Sequence, residues 1–132
     1  MTPGPIDDKS LPTPDPASVQ IVRSYGPGRF LIGELEWRET VLVTPTATAP
    51  LGIVRAEDIT PETLVFLKTL PTPTELLVVG CGARAVFVPP AQRALLKVAG
   101  LGLEVVDTGS ACRIYNVLVA EGRRVAAALI PL

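Results

Sequence analysis

The chain has 132 residues, 48% hydrophobic and 19% charged, so it is long enough for one domain with a sizeable core. Its 12 basic and 13 acidic residues are scattered and give a net charge of −1, which leaves no basic stripe for nucleic acid. Histidine is absent, which excludes Ser-His-Asp and Cys-His catalysis within the chain and removes the commonest zinc and iron ligand. We therefore expect no metal and no cofactor.

The N-terminal segment is rich in proline, with Pro3, Pro5, Pro12, Pro14 and Pro16. This density predicts a flexible arm over residues 1–18, followed by a single α/β domain over residues 19–132. The arm has neither the basic start nor the apolar stretch of a secretory signal. The last long apolar run, residues 125–130, is far shorter than the roughly 20 residues of a membrane-spanning helix. A cytoplasmic protein with reduced cysteines and no transmembrane segment is expected.

The first structured segment has β character. Residues 19–25 and 30–32 read as two strands around the turn Gly26-Pro27-Gly28, and a polar turn near Trp37 leads to a third strand at 41–43. Together these predict an N-terminal antiparallel β-meander. The following stretch, Pro45 to Pro50, reads as a loop by composition.

Helices and short hydrophobic strands then alternate. The predicted helices begin at Thr60, at Pro90 and shortly after Asp107, and the predicted strands are Leu76–Val79, Leu103–Val106 and Val125–Ile130. This order predicts a three-layer α/β fold with a central mixed sheet and helices packed on it.

Two segments follow predicted parallel strands, where ligands of α/β folds collect. Gly80-Cys81-Gly82 begins a loose dinucleotide-binding pattern that ends at Ala85, but no helix follows directly, so a sharp turn is the favoured interpretation.

The second segment is the start of the last predicted helix, where Thr108 or Ser110 would act as the N-cap. The free N–H groups there would attract an anion, Arg113 would add a forked donor, and the Cys112 thiolate would be favoured. A purely structural helix start is the alternative. If the two loops share a cleft, the candidate ligand-binding residues are Gly80, Cys81, Gly82, Asp107, Thr108, Gly109, Ser110, Cys112, Arg113 and Asn116.

Three further features are interpreted as structural. Glu34 and Glu36 have the spacing of a solvated strand face, and Arg123 with Arg124 reads as a turn at a helix C-terminus. Trp37 is expected to pack or to form an exposed contact.

Residues 107–118 (DTGSACRIYNVL) and 121–129 (EGRRVAAAL) resemble the C-terminal signature of a conserved-hypothetical family. This family includes mitochondrial NADH dehydrogenase (complex I) assembly factor 3 and the adipogenesis-associated domain protein. The likeness extends upstream through residues 41–45 and 77–82 and omits the proline-rich arm. It implies a three-layer α/β fold with a mixed sheet, and for the mitochondrial branch a role in building complex I at the inner membrane by binding proteins. Relatives often carry threonine where this chain has Ile114.

The favoured function is a non-enzymatic binding protein with protein partners, an assembly factor for a respiratory complex such as NADH dehydrogenase. In that case a peripheral position at the inner membrane is the alternative location. A small-anion or thiol-dependent ligand-binding protein that uses Thr108 to Arg113 is the alternative function. A third hypothesis is a structural homo-oligomer, suggested by the apolar composition and a bare C-terminal strand.

Overall fold

The computed structural model describes residues 19–59, 66–85, 90, 94 and 100–132. The arm predicted over residues 1–18 lies outside this part of the chain, as do most residues of the helices predicted to begin at Thr60 and Pro90. Residues 66–68, Pro90 and Ala94 are helical, which agrees with those two predictions as far as they can be followed.

A small antiparallel sheet is formed by β1 (Val22–Gly26), β2 (Arg29–Ile32) and β3 (Leu35–Trp37), in that order. The predicted meander is therefore present, but its third strand was placed wrongly. Gly33 has a φ of 60° and allows a two-residue turn, so that Leu35 pairs with Ile32. The third strand therefore begins directly after this turn.

The central sheet contains β4 (Val41–Thr44), β5 (Ala47–Pro50), β6 (Leu76–Gly80), β7 (Gly102–Val106) and β8 (Val125–Leu129). Its order is β5-β4-β8-β6-β7, with parallel pairs among β8, β6 and β7 and antiparallel pairs on the β4 side. The loop predicted over Pro45 to Pro50 is wrong, because Ala47 to Pro50 pair with β4. Proline is tolerated there since β5 is an edge strand.

The C-terminal strand β8 lies between β4 and β6, so it is not the bare edge that self-association would have used. Its small side chains are buried on both faces of the sheet. Val125, Ala127 and Leu129 pack with one part of the core, and Ala126 and Ala128 pack with the other. A strand buried on both faces reads as a continuous apolar run, which is why the sequence identified it.

The long helix α1 (Thr108–Ala120) covers one face of the central sheet together with the small sheet. Leu67, in the helical segment at 66–68, packs with the core on the opposite face. The predicted α/β class with a central mixed sheet between two outer layers is confirmed. Because β6, β7 and β8 are parallel, the loops after Gly80 and Val106 leave the same edge of the sheet.

Candidate functional site

The two predicted loops meet through the side chain of Thr108. Its hydroxyl accepts a hydrogen bond from the Gly82 backbone N–H at 2.7 Å and donates to the Ile130 carbonyl at 2.6 Å. The Thr108 N–H donates to the Gly82 carbonyl at 2.9 Å. Thr108 is fully buried, so it ties the loop after β6, the start of α1 and the end of β8 into one unit.

Close packing at Gly80 leaves no space for a ligand between the loops at this point. A Cβ added to Gly80 would lie 2.9 Å from the Thr108 Cα and 3.0 Å from the Ala111 Cβ. Neither of the two cavities described below is lined by Gly80, Asp107 or Cys112. The two predicted loops are therefore neighbours. At Gly80 and Thr108 they are in direct contact, whereas the sequence analysis predicted a cleft between them.

The N-cap of α1 is Asp107, and the prediction of Thr108 or Ser110 in that role is wrong. One Asp107 carboxylate oxygen accepts from the Ser110 backbone N–H at 2.9 Å, and the other accepts from the Ser110 hydroxyl at 2.8 Å. These two hydrogen bonds lower the pKa of Asp107. The carboxylate of the chain itself thus occupies the place at the helix start where an anion was expected.

Arg113 is the exposed member of the predicted site. Its Nη1 donates to the Tyr25 hydroxyl at 2.9 Å and its Nη2 to the Ser110 hydroxyl at 3.3 Å. The Tyr25 hydroxyl lies over Gly109, where an added Cβ would be only 2.8 Å from it. The guanidinium group therefore links α1 to β1, with Asp107 and Ser110 partly exposed nearby.

Cys112 does not have the environment of a reactive thiol. It is 2% exposed, and burial raises its pKa to about 12 despite the opposing charge of Arg113. The prediction of a favoured thiolate is wrong because Cys112 lies on the face of α1 that packs against the sheet, beside Ala111 and Tyr115.

Asn116 binds the backbone of the small sheet. Its side-chain oxygen accepts from the Val22 N–H at 2.9 Å, and its side-chain nitrogen donates to the Val22 carbonyl at 2.8 Å. Tyr115, its neighbour on α1, donates its hydroxyl to the Gln20 carbonyl at 2.7 Å. Asn116 therefore connects α1 to β1, and Tyr115 connects α1 to the segment just before β1.

Two cavities that no sequence motif indicated lie away from the predicted site. A cavity of about 310 Å³ lies beside the C-terminal end of α1, and another of about 460 Å³ lies near Thr40 and Ile130. At the first cavity, Glu75 binds Arg123 Nε at 3.0 Å and Arg124 Nη2 at 3.2 Å, and both contacts lower the pKa of Glu75. The predicted turn is present, since the Arg123 N–H donates to the Leu118 carbonyl at the helix end.

The described part of the chain contains no group of three or more Cys, Asp or Glu side chains arranged to hold a metal ion. In the same part, no helix combines the length and apolarity needed to cross a membrane.

Comparison with known proteins identifies one matching family and several relatives, some of them longer than this chain. The profile of a family described as "Protein of unknown function (DUF498/DUF598)" matches residues 22–130. An uncharacterised protein of Rhodobacter capsulatus is 36% identical over 112 residues, which cover 84% of either chain. The NADH dehydrogenase (ubiquinone) 1 alpha subcomplex assembly factor 3 of Xenopus tropicalis is 33% identical over 117 residues, or 89% of this chain and 64% of that protein. The protein of the same name from Danio rerio is 33% identical, over 97% of this chain and 78% of that protein.

Solved structures give the same fold. A crystal structure of a Bordetella parapertussis protein has a TM-score of 0.77 at 34% identity and covers 87% of this chain and 98% of that one. A solution structure of a Bordetella pertussis protein, described as a Mth938-like domain, has a TM-score of 0.73 at 30% identity, with coverage of 94% and 92%.

Proposed function

The chain belongs to the DUF498/DUF598 family of proteins of unknown function, and on that premise we propose that it acts without catalysis, by binding other proteins during the assembly of respiratory NADH dehydrogenase. The observation that carries this proposal is the similarity to relatives named as assembly factors of that complex. We also propose that the protein is located in the cytoplasm. A peripheral position at the inner membrane is the alternative location.

The surface that fits a protein partner best is the free edge of β3. This strand ends the small sheet, so only β2 pairs with it in the described part of the chain. In a hairpin closed by a two-residue turn, the flanking residues Ile32 and Leu35 hydrogen-bond to each other, so the backbone groups of Glu36 point away from β2. These groups can accept one more strand.

Apolar side chains extend to this edge. Val22, Ile32 and Leu35 form one row across the sheet, in which Val22 and Ile32 are buried and Leu35 is 64% exposed. Trp37, two residues along the same face, has a buried Nε1 without a hydrogen-bond partner in the described structure. An added strand would cover Leu35 and bring further carbonyl groups close to Trp37.

The charges at the edge decide the kind of partner. Glu34, Glu36 and Glu39 surround β3, and the only cation among residues 34–39 is Arg38, whose guanidinium lies 2.6 Å from the Glu36 carboxylate. A second copy of this edge would bring like charges together, whereas a basic segment would be attracted. We therefore assign the edge to an extended, positively charged segment of a partner protein.

The function is tested by deletion of the gene in its native host. We expect less assembled NADH dehydrogenase on a native gel and lower NADH:quinone activity in membranes, both restored by the wild-type gene. Normal amounts of the assembled complex in the deletion strain would overturn the proposal.

The surface is tested by two charge reversals in the complementing gene. Glu36→Lys is expected to restore assembly poorly, whereas Glu104→Lys, the same change on the edge strand β7, should restore it fully. A photoreactive residue at position 35 should cross-link to a basic segment of an assembly intermediate. If both variants complement equally and position 35 gives no such cross-link, the β3 edge is not the binding surface.

A further inference from the structure

The cavity of about 310 Å³ beside the end of α1 combines an apolar wall with cations at its rim. Val19, Leu70, Val119 and Val125 contribute apolar surface, and Arg123 and Arg124 are among the other lining residues. Its volume is at the lower end of the range for small-molecule sites, which suits a compact ligand and excludes a long lipid chain.

Arg123, Arg124 and Glu75 together carry a net charge of +1 at this cavity, and the Lys68 Nζ lies 3.3 Å from the Thr74 carbonyl. Arg123 and Arg124 both bind the carboxylate of Glu75, and each guanidinium group donates one hydrogen bond to it. A guanidinium group has five donors, so most of the donors on both side chains are not used by Glu75. The two arginine side chains are about half exposed, at 51% and 52%, and can reorient toward a bound anion.

Thr74 supplies an independent observation. It lines the same cavity and is only 3% exposed. Its backbone groups are occupied, since the N–H donates to the Leu67 carbonyl and the carbonyl accepts from Lys68 Nζ. The hydroxyl of Thr44, on the same lining, donates to the Ala47 carbonyl at 3.2 Å. The hydroxyl is therefore the group of Thr74 that a ligand in the cavity can bind.

We propose that this cavity binds a small organic monoanion, a carboxylate carried on a short apolar body. The carboxylate accepts from the free N–H donors of Arg123 and Arg124, and the apolar body lies against Val119 and Val125. One oxygen of the same carboxylate also accepts the hydrogen bond of the Thr74 hydroxyl, which belongs to the same lining. This site is separate from the β3 edge and stands whether or not the assembly function holds.

The test measures binding of hexanoate to the full chain by calorimetry and by amide chemical shifts, with hexanol and hexylammonium as matched probes. We expect hexanoate to bind, to shift the amides of Val119 and Val125, and to bind at least roughly tenfold more tightly than either control. If hexanol binds as well as hexanoate, or if no probe binds at millimolar concentration, the proposal is overturned.

Four variants locate the site. Arg124→Gln and Thr74→Val should each weaken hexanoate binding, whereas Arg55→Gln, the same change at an exposed arginine that also pairs with a glutamate, should not. Glu75→Gln should tighten binding, because it removes the carboxylate that competes for both guanidinium groups. A loss of affinity in Glu75→Gln with unchanged thermal stability, or equal effects of Arg55→Gln and Arg124→Gln, would contradict the assignment.

Discussion

The side-chain amide of Asn116 binds Val22 as a neighbouring strand would, since it accepts from the Val22 N–H and donates to the Val22 carbonyl. β1 is an edge strand of the small sheet, so these two backbone groups have no partner strand on this side. One helical side chain thereby completes the hydrogen bonding of a strand that is 94 residues distant in sequence.

We predict that Asn116→Ala lowers the free energy of unfolding by about 1–3 kcal/mol, because it leaves two backbone groups of a buried residue unpaired. The Val22 amide should also exchange its hydrogen faster. Val117→Ala is the matched control, since Val117 is 56% exposed and its truncation should change stability by less than about 0.5 kcal/mol. Equal stability of the two variants in denaturant unfolding would contradict the role given to Asn116.

Thr108 provides the second prediction. Thr108→Val keeps the shape of the side chain but removes the hydroxyl that bridges Gly82 and Ile130, and we expect a loss of about 1–3 kcal/mol. Thr108→Ser keeps the hydroxyl and should lose less. Thermal unfolding of the two variants checks the order, and a Val variant as stable as the Ser variant would show that the bridge contributes little.

The third prediction concerns two glycines of the same region. Gly80→Ala places a methyl group 2.9 Å from a backbone atom of Thr108, which cannot move away easily, so we expect a loss of about 1–3 kcal/mol. In Gly109→Ala the tightest contact of the new methyl group is with the Tyr25 hydroxyl, at the far end of a side chain, and the helix gains propensity from alanine. Its stability should therefore be closer to the wild type, and the reverse order would be inconsistent with the packing described.

The parts of the fold that the sequence predicted are those in which local pattern and tertiary environment agree. The apolar run at 76–79 became β6, because strands covered on both faces carry apolar residues throughout, and residues 103–106 became part of the edge strand β7, in which Glu104 is exposed. β5 was missed because its residues are exposed and are held in place by pairing with β4, a contact that composition does not reveal. The central position of β8 is likewise a property of strand order.

The candidate site was predicted less well, and the reasons are specific. Asp107, Thr108 and Ser110 are all residue types that cap helices, and only the structure shows that Thr108 turns inward to bind Gly82 and Ile130. The cavity near Arg124 is formed by segments distant in sequence, so no local motif marks it.

The last prediction uses the buried thiol of Cys112. Burial raises its pKa to about 12 in the folded state from about 9 when solvated, so the protonated thiol is the form that folding favours. This contribution to stability is fully present below pH 9 and is lost as the pH rises from 9 toward 12. Tyr115 acts in the same direction, because burial raises the pKa of its hydroxyl as well.

We therefore expect the denaturation midpoint to fall between pH 9 and 12, and Cys112→Ala to show a shallower fall than the wild type. In alkylation experiments at pH 8, Cys112 should react far more slowly in the folded protein than after unfolding, because both its burial and its raised pKa suppress the thiolate. Rapid alkylation of folded Cys112, located by peptide mapping, would mean that α1 opens or that this thiol is reactive. The thiol-dependent function that the helix start suggested would then become testable again.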